Sequence, residues 1–364
     1  FDKALDSIFS LCNLPNSRVE LGITGGEPLL NWECVKWMIE QYNRRRNEEQ
    51  QVVGGEIAVT TNGSLLTQEQ VAFLAQRSVN LAISLDGPEE IHNRQRPFRS
   101  GHGSYARVLE RFGLAKKILH DHGLPITIHA VLMPDTQDPE SIVEHALDIG
   151  ADRAIIYPLH PFYPGSKGFT EEVVESYKRQ YTRLMNYFLS RTLSGDLSPL
   201  RVHWTQGDLL IGTIRRLLNG QPAKYRCNAG IFSYTVLPDG SMFPCPVLVG
   251  LPEFSFGNVL YDTPFEMQRQ FLARPVHSIP GCQGCWARSW CGGACAYMSA
   301  CISSNLQTPY TPRCELTLHI LRLAMIFVSR VTEYQPSLFR QLETECRAIQ
   351  TYSDEGNRGI KGHV

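Results

Sequence analysis

The stretch Val19-Glu20-Leu21-Gly22-Ile23-Thr24-Gly25-Gly26-Glu27-Pro28 decides the fold. Its first half reads as a short apolar strand. Its second half reads as a turn, because paired glycines accept backbone angles closed to other residues and Pro28 cannot continue a ladder. The same grammar repeats to about residue 160. Helical periodicity at 1–12 precedes it, then a helix at 32–45, a strand at 56–60, a helix at 67–76 and a strand at 81–85 follow. Next come a helix at 104–120, a strand at 126–131, a helix at 139–147 and a strand at 153–157. Alternating short strands and helices imply a parallel sheet covered by helices. The fold class is therefore α/β, a partial TIM-type (β/α)6 barrel lacking its first strand.

Helices expected at 170–195 and 205–218 close this half. Near residue 220 the grammar changes to β-hairpin sequence, strands at 231–237 and 241–243 around Pro238-Asp239-Gly240, with many glycines and prolines. The division expected is 1–219 for the barrel, 220–333 for a small cysteine-rich domain, and 334–364 for a C-terminal helix and loose tail. A long helix is expected at 312–331, and residues 352–364 read as a polar tail.

That second region carries Cys227, Cys245, Cys282, Cys285, Cys291, Cys295 and Cys314. Thiolates brought together by short, glycine-rich spacers repel one another unless a cation or an iron–sulfur core neutralises them. Four thiolates suit either zinc or a [4Fe–4S] cluster, so spacing alone identifies a metal array without naming the metal. Cys34 and Cys346, on helical segments, read as packing cysteines.

With 364 residues and 43% hydrophobic content the chain can bury a sizeable core. A net charge of −1 gives no electrostatic footprint for nucleic acid, and Arg44, Arg45 and Arg46 beside Glu48 and Glu49 read as a solvated helix end. No apolar run is long enough to cross a bilayer. Eleven cysteines, an odd number with seven at metal-ligand spacing, imply a reduced, cytoplasmic setting.

In α/β barrels the loops after the strands form the active face. Here they hold Thr24, Gly25, Gly26, Glu27 and Pro28, then Thr61-Asn62-Gly63, then Ser84-Leu85-Asp86-Gly87-Pro88 followed by His92 and Arg96. Paired glycines expose backbone groups to a ligand, and Glu27 can accept from an ammonium. Ser84 can bond a ribose hydroxyl, and Arg96 can pair bidentately with a carboxylate. A ligand with amine, carboxylate and ribose is S-adenosylmethionine (SAM). His92, His102, His129 and His160 are read as hydrogen-bonded loop residues, and Tyr157, Phe162 and Tyr163 as wall.

These motifs together resemble the radical SAM superfamily, in the subgroup with a SPASM C-terminal domain. The pattern Cys-x(9–15)-Gly-x4-Cys, gap, Cys-x2-Cys-x5-Cys-x3-Cys, gap, Cys is met at all seven positions, with Gly240 as its glycine. The resemblance implies SAM held by Thr24, Gly25, Gly26, Glu27, Pro28, Ser84 and Arg96, with Leu159 beside the adenine. It implies two auxiliary [4Fe–4S] clusters, one on Cys282, Cys285, Cys291 and Cys314, the other nearer the barrel on Cys227, Cys245 and Cys295. The fourth position of the latter is expected either open to a substrate thiolate or capped by Cys301.

The resemblance also implies a third [4Fe–4S] cluster on a Cys-x3-Cys-x2-Cys loop that these residues do not contain; Cys12 and Cys34 lack that spacing. An N-terminally truncated chain, inactive as written, is expected. The implied activity is modification of a ribosomally made peptide or protein through a 5′-deoxyadenosyl radical. Thioether cross-linking is one expected outcome, from the local likeness of residues 309–315. The implied partners are the peptide and a reductant such as a flavodoxin or ferredoxin, with no nucleic acid and no membrane. A relative of anaerobic sulfatase maturases is the alternative, against which stands Pro246, where those enzymes carry an Asp after the cysteine. Beyond these lie a zinc-stapled interaction module and a non-catalytic remnant.

Overall fold

The computed structural model describes residues 1–10, 17–48, 52–159, 168–205, 207–261, 266–303 and 305–357. Cys12, His160, Phe162 and Tyr163 lie outside them. Strand β1 (Ser17–Arg18) pairs in parallel with β3 (Val52–Gly54) as a short separate ladder. The main sheet is built from β2 (Leu21–Ile23), β4 (Ile57–Thr61), β5 (Asn80–Ser84), β6 (Ile126–Leu132) and β7 (Arg153–Pro158). These lie side by side in that order, all parallel. The expected parallel α/β sheet is thus present. The strand expected at 19–23 divides instead, because Leu21 N–H bonds Glu56 O and only the last three residues join the ladder.

Period-two alternation sorts the strand residues onto two faces. In β6, Ile126, Ile128, Ala130 and Leu132 are buried while Thr127, His129 and Val131 are only half-buried. The buried face packs on helices Gln68–Gln76 and Tyr105–Asp121, where Val59, Leu81, Ile83 and Ile128 meet Val71, Leu74, Phe112 and Leu119. Thr67 caps the first of these helices through a reciprocal capping box with Gln70. The opposite face is left for polar residues at the strand ends.

A second core is built from helices Glu171–Leu193, Leu209–Leu218 and Thr311–Tyr334, and it runs without a break into the cysteine-rich part. Tyr177, Phe188, Ile211, Ile214, Ile320 and Phe327 share it with Phe254, Phe256 and Phe271. Each such side chain contributes about 1.5–3 kcal/mol on burial. The helix expected at 205–218 starts later, where the buried Asp208 caps Leu210 and Ile211 through Oδ1 at 3.0 and 2.8 Å. A separate helix, Ser198–Val202, precedes it.

In the cysteine-rich part, β8 (Thr235–Val236), β9 (Ser241–Phe243) and β10 (Gly257–Asn258) form an antiparallel sheet. The first hairpin strand is shorter than the expected 231–237. Asn228 O takes the N–H groups of Ile231, Phe232 and Ser233, so these residues coil into a tight loop. The final helix, Pro336–Asn357, extends into the stretch expected as a polar tail. Among the described residues no helix is long and apolar enough to cross a membrane.

Candidate functional site

The ends of β2, β4, β5 and β6 are tied laterally, and Glu27 makes the first tie. Its carboxylate accepts from Thr61 Oγ1 at 2.6 Å, Asn62 N at 2.8 Å and Leu29 N at 3.1 Å. Glu27 therefore holds the glycine turn against the end of β4, and any bond to an ammonium uses the lone pairs left over. Gly25 stands at φ +150°, in the region closed to L side chains, and a Cβ at Gly25 or Gly26 would meet no atom of a described residue within 4 Å. Thr24, Gly25 and Gly26 are exposed. The backbone at this turn faces open space. Pro28 then starts the turn that leads into helix Trp32–Glu48.

The second tie is Asp86, to which the sequence reading gave no role. Only 1% exposed, it accepts from Arg96 Nε at 2.6 Å and from Val131 N at 2.9 Å. One carboxylate thus fixes the guanidinium to the end of β6. The two terminal nitrogens of Arg96 make no hydrogen bond with a described residue and remain a free fork. Ser84 ends β5, and its hydroxyl is likewise unengaged among the described residues. Its partner in the ladder is His129. Leu159 continues the β6–β7 ladder through Leu132 O at 2.9 Å.

His92 braces Asp86 from behind: Nδ1 accepts from Asp86 N at 3.3 Å and Nε2 lies 3.0 Å from Ser104 Oγ. Burial pushes its pKa down to about 4, with the Asp86 charge opposing and Arg96 assisting, so the ring is neutral. His102 is exposed and contacts Ser100 Oγ at 3.1 Å. His129 sits on a strand rather than in a loop, edge-on to Tyr157 at 5.7 Å. Burial and then the Arg96 charge lower its pKa.

The seven cysteines of the array are free thiols. Burial raises Cys245 to about 11, with Cys295 and Cys227 adding to the shift. Cys227, although exposed as a residue, is likewise raised by the packing around its sulfur, with a contribution from Cys295. Cys314 is also raised to about 11 by burial, and here the neighbours are Cys291, Cys282 and Cys285. Cys282 rises for the same reason, beside Cys291 and Cys285. The thiols therefore feel one another in two groups. Among the described residues no three His, Cys, Asp or Glu side chains close on a point fit for a single ion. A tetrahedral zinc would need thiolates roughly 2.3 Å from one centre; a cubane carries each thiolate on a separate iron and accepts wider spacing.

Backbone packing shapes the array. Gly292 lies at φ +76°, and a Cβ there would collide with the Tyr225 carbonyl, so only glycine lets the Cys291 turn approach the chain entering Cys227. Arg226 Nη1 donates to Cys291 O at 3.3 Å and lies 3.7 Å from its Sγ. Arg216 Nη1 donates to Trp290 O at 2.6 Å, and Arg274 Nη2 to Ala294 O at 3.4 Å. The exposed Cys301 shares a hydrogen bond with Tyr297 and feels Cys295. Cys346 is buried, as expected of a packing cysteine, whereas Cys34 is exposed. The buried stripe of helix Trp32–Glu48 runs through Val35, Ile39 and Tyr42, and Cys34 lies off it.

Residues 13–149 match the family model of the radical SAM superfamily. The chain carries a radical SAM domain. The chain is 23% identical over 308 residues to a cysteine-type anaerobic sulfatase-maturating enzyme of Clostridium perfringens, covering 81% of this chain and 78% of that enzyme. It is 23% identical over 266 residues to a serine-type anaerobic sulfatase-maturating enzyme of Bacteroides thetaiotaomicron. That match covers 65% of this chain and spans 60% of that enzyme's length. Among solved structures, native anSMEcpe with bound AdoMet and a Kp18Cys peptide superposes with a TM-score of 0.69 at 18% identity, over 93% of this chain and 89% of that one. The fold around the radical SAM domain is thus shared with that protein.

Proposed function

We propose that this chain belongs to an enzyme that binds SAM at the strand ends and modifies a ribosomally made peptide or protein. The observation that carries the reading is the row of unengaged groups at neighbouring strand ends: the open backbone at Gly25 and Gly26, the Ser84 hydroxyl and the Arg96 fork. They suit the amine, the ribose and the carboxylate of SAM. Thr24, Glu27 and Pro28 shape the turn, and Leu159 supplies apolar contact. Asp86 and His92 position Arg96 without needing to touch the ligand. When bound together, SAM and an iron–sulfur cluster supply hydrogen-atom abstraction from carbon, while the protein orients the reactants and excludes water.

We further read residues 1–219 as the barrel, 220–333 as an auxiliary-cluster domain and 334–364 as a C-terminal extension. Cys282, Cys285, Cys291 and Cys314 would hold one [4Fe–4S] cluster, and Cys227, Cys245 and Cys295 another. The thiols' two-way grouping and the arginines beside them, Arg274 buried and Arg216, Arg226 and Arg313 half-buried, support anionic clusters over single ions. A peptide substrate is supported by the peptide named with anSMEcpe and by the sulfatase-maturating relatives. A small electron-transfer protein of the flavodoxin or ferredoxin type would supply electrons.

Calorimetric titration of SAM into the chain tests the site. Arg96→Ala removes charge-assisted bonds worth about 1.5–3 kcal/mol, so binding weakens by about 10- to 100-fold. Ser84→Ala weakens it less. Absence of SAM binding, or unchanged affinity in Arg96→Ala, overturns the reading. Sulfatase maturation is a second reading, favoured by the relatives. Pro246, which follows Cys245 and offers no proton acceptor, speaks against it. The reconstituted enzyme given a sulfatase peptide bearing serine or cysteine separates the two, since oxidation of that side chain is expected only under the second.

A further inference from the structure

Four guanidinium groups surround the cysteine loop, and none forms an ion pair with a described carboxylate. Arg216 comes from the last turn of helix Leu209–Leu218, Arg226 from the residue before Cys227, Arg274 from the turn after helix Glu266–Leu272, and Arg313 from the residue before Cys314. Three of them converge on the backbone of residues 290–294, the segment that joins Cys291 to Cys295. Arg274 is 7% exposed, and among the described residues its Nε has no hydrogen-bond partner. Its electrostatic neighbours are Cys295 and Cys227 of one thiol group and Cys282 of the other.

Magnitudes decide whether carbonyl contacts suffice. Burying an ion costs several kcal/mol, whereas a hydrogen bond from a charged donor returns about 1.5–3. The cations also repel: Arg226 lies close enough to Arg216 and to Arg313 to lower both, and burial, the larger cause, brings Arg313 to about 10. Protonated thiols offer nothing to balance them. A negative group at the thiols does.

We propose that Arg226 and Arg274 are built-in counter-charges that raise the reduction potentials of the two clusters, Arg226 by donating to the Cys291 thiolate and Arg274, held on the Ala294 carbonyl, by standing within electrostatic reach of thiols from both groups. This rests on the auxiliary-cluster reading above. Reduction adds negative charge, so a nearby cation favours it. The arginines then act on the clusters' potentials and not on substrate.

The test is to reconstitute the full chain as wild type, Arg226→Gln, Arg226→Lys and Arg274→Gln. Iron and labile sulfide are assayed, and potentials are read by redox titration followed by electron paramagnetic resonance. Arg226→Gln is expected to lower the reduced-to-oxidised ratio of one cluster about tenfold at fixed potential, a shift of about 59 mV for one electron. Arg274→Gln lowers both clusters. If Arg226→Gln takes up no iron, Arg226→Lys decides: it keeps the charge, loses the planar fork, and shifts the same cluster down by a smaller amount. Wild type that binds no iron refutes the cluster reading itself. Loaded variants with wild-type potentials refute only the counter-charge proposal.

Discussion

Replacing Asp86 should damage the proposed SAM site without replacing any residue proposed to contact SAM. The carboxylate makes two bonds at opposite ends, to Arg96 Nε at 2.6 Å and to Val131 N at 2.9 Å. Gln95, with its amide oriented to satisfy both neighbours, adds a third at 3.0 Å. Asp86→Ala removes a charge-assisted bond worth about 1.5–3 kcal/mol and strands a backbone donor at about 1–3. Arg96 is 32% exposed and can turn toward water, which recovers part of the first cost. The expected net loss is about 3 kcal/mol, read as a lower urea midpoint at unchanged slope. Asp86→Asn keeps an acceptor for Val131 but turns an amide donor toward Arg96, so it falls between. In both variants SAM affinity should drop along with stability, because the fork is no longer aimed. A loss below about 0.5 kcal/mol in Asp86→Ala, within the range of an ordinary surface substitution, would refute the assignment of Asp86 as the anchor.

Glu27→Gln retains one acceptor but loses the charge that binds Thr61, Asn62 and Leu29, so it should cost about 1–2 kcal/mol in chemical denaturation and weaken SAM binding; full retention of both would contradict its role as a tie. Stability should also fall as the pH drops through His92's window. The native pKa is about 4 against an ordinary 6.5, so the unfolded chain binds more protons between those values. The contribution is complete above about pH 6.5 and lost toward pH 4, about 3 kcal/mol in all. His129 and His145, both lowered by burial, act in the same direction. His92→Gln should flatten the curve measured by denaturation across this range, and an unchanged slope would place the acid sensitivity elsewhere.

The sheet was readable because each apolar strand is short and ends in its own turn chemistry: glycines after Thr24, Asn62-Gly63 after Thr61, Asp86-Gly87-Pro88 after Leu85. Strand ends were readable to within a residue or two. The separate ladder of β1 and β3 was not, since two-residue pairings leave no periodicity. The break before helix Leu209–Leu218 could have been seen in Asp208, a strong N-cap residue standing before an apolar run. Ser84 was legible as a residue type at a strand end, and Arg96 as one in the segment that follows it. Asp86 was in plain view in the same loop, but its burial and its bond to Arg96 are tertiary facts. The arginines around residues 290–294 were invisible for a related reason. They come from four distant segments, and only folding shows that no described carboxylate meets them.

The central claim is that tail thiols cage iron opposite a SAM site. The most direct measurement is Mössbauer spectroscopy, with iron and labile sulfide analysis, on the anaerobically reconstituted chain and its Cys282→Ala and Cys295→Ala variants. Two cubane signals in the wild type are expected, with a different one lost in each variant. Zinc in place of iron, a colourless protein, or loss of the same signal in both variants would contradict the account.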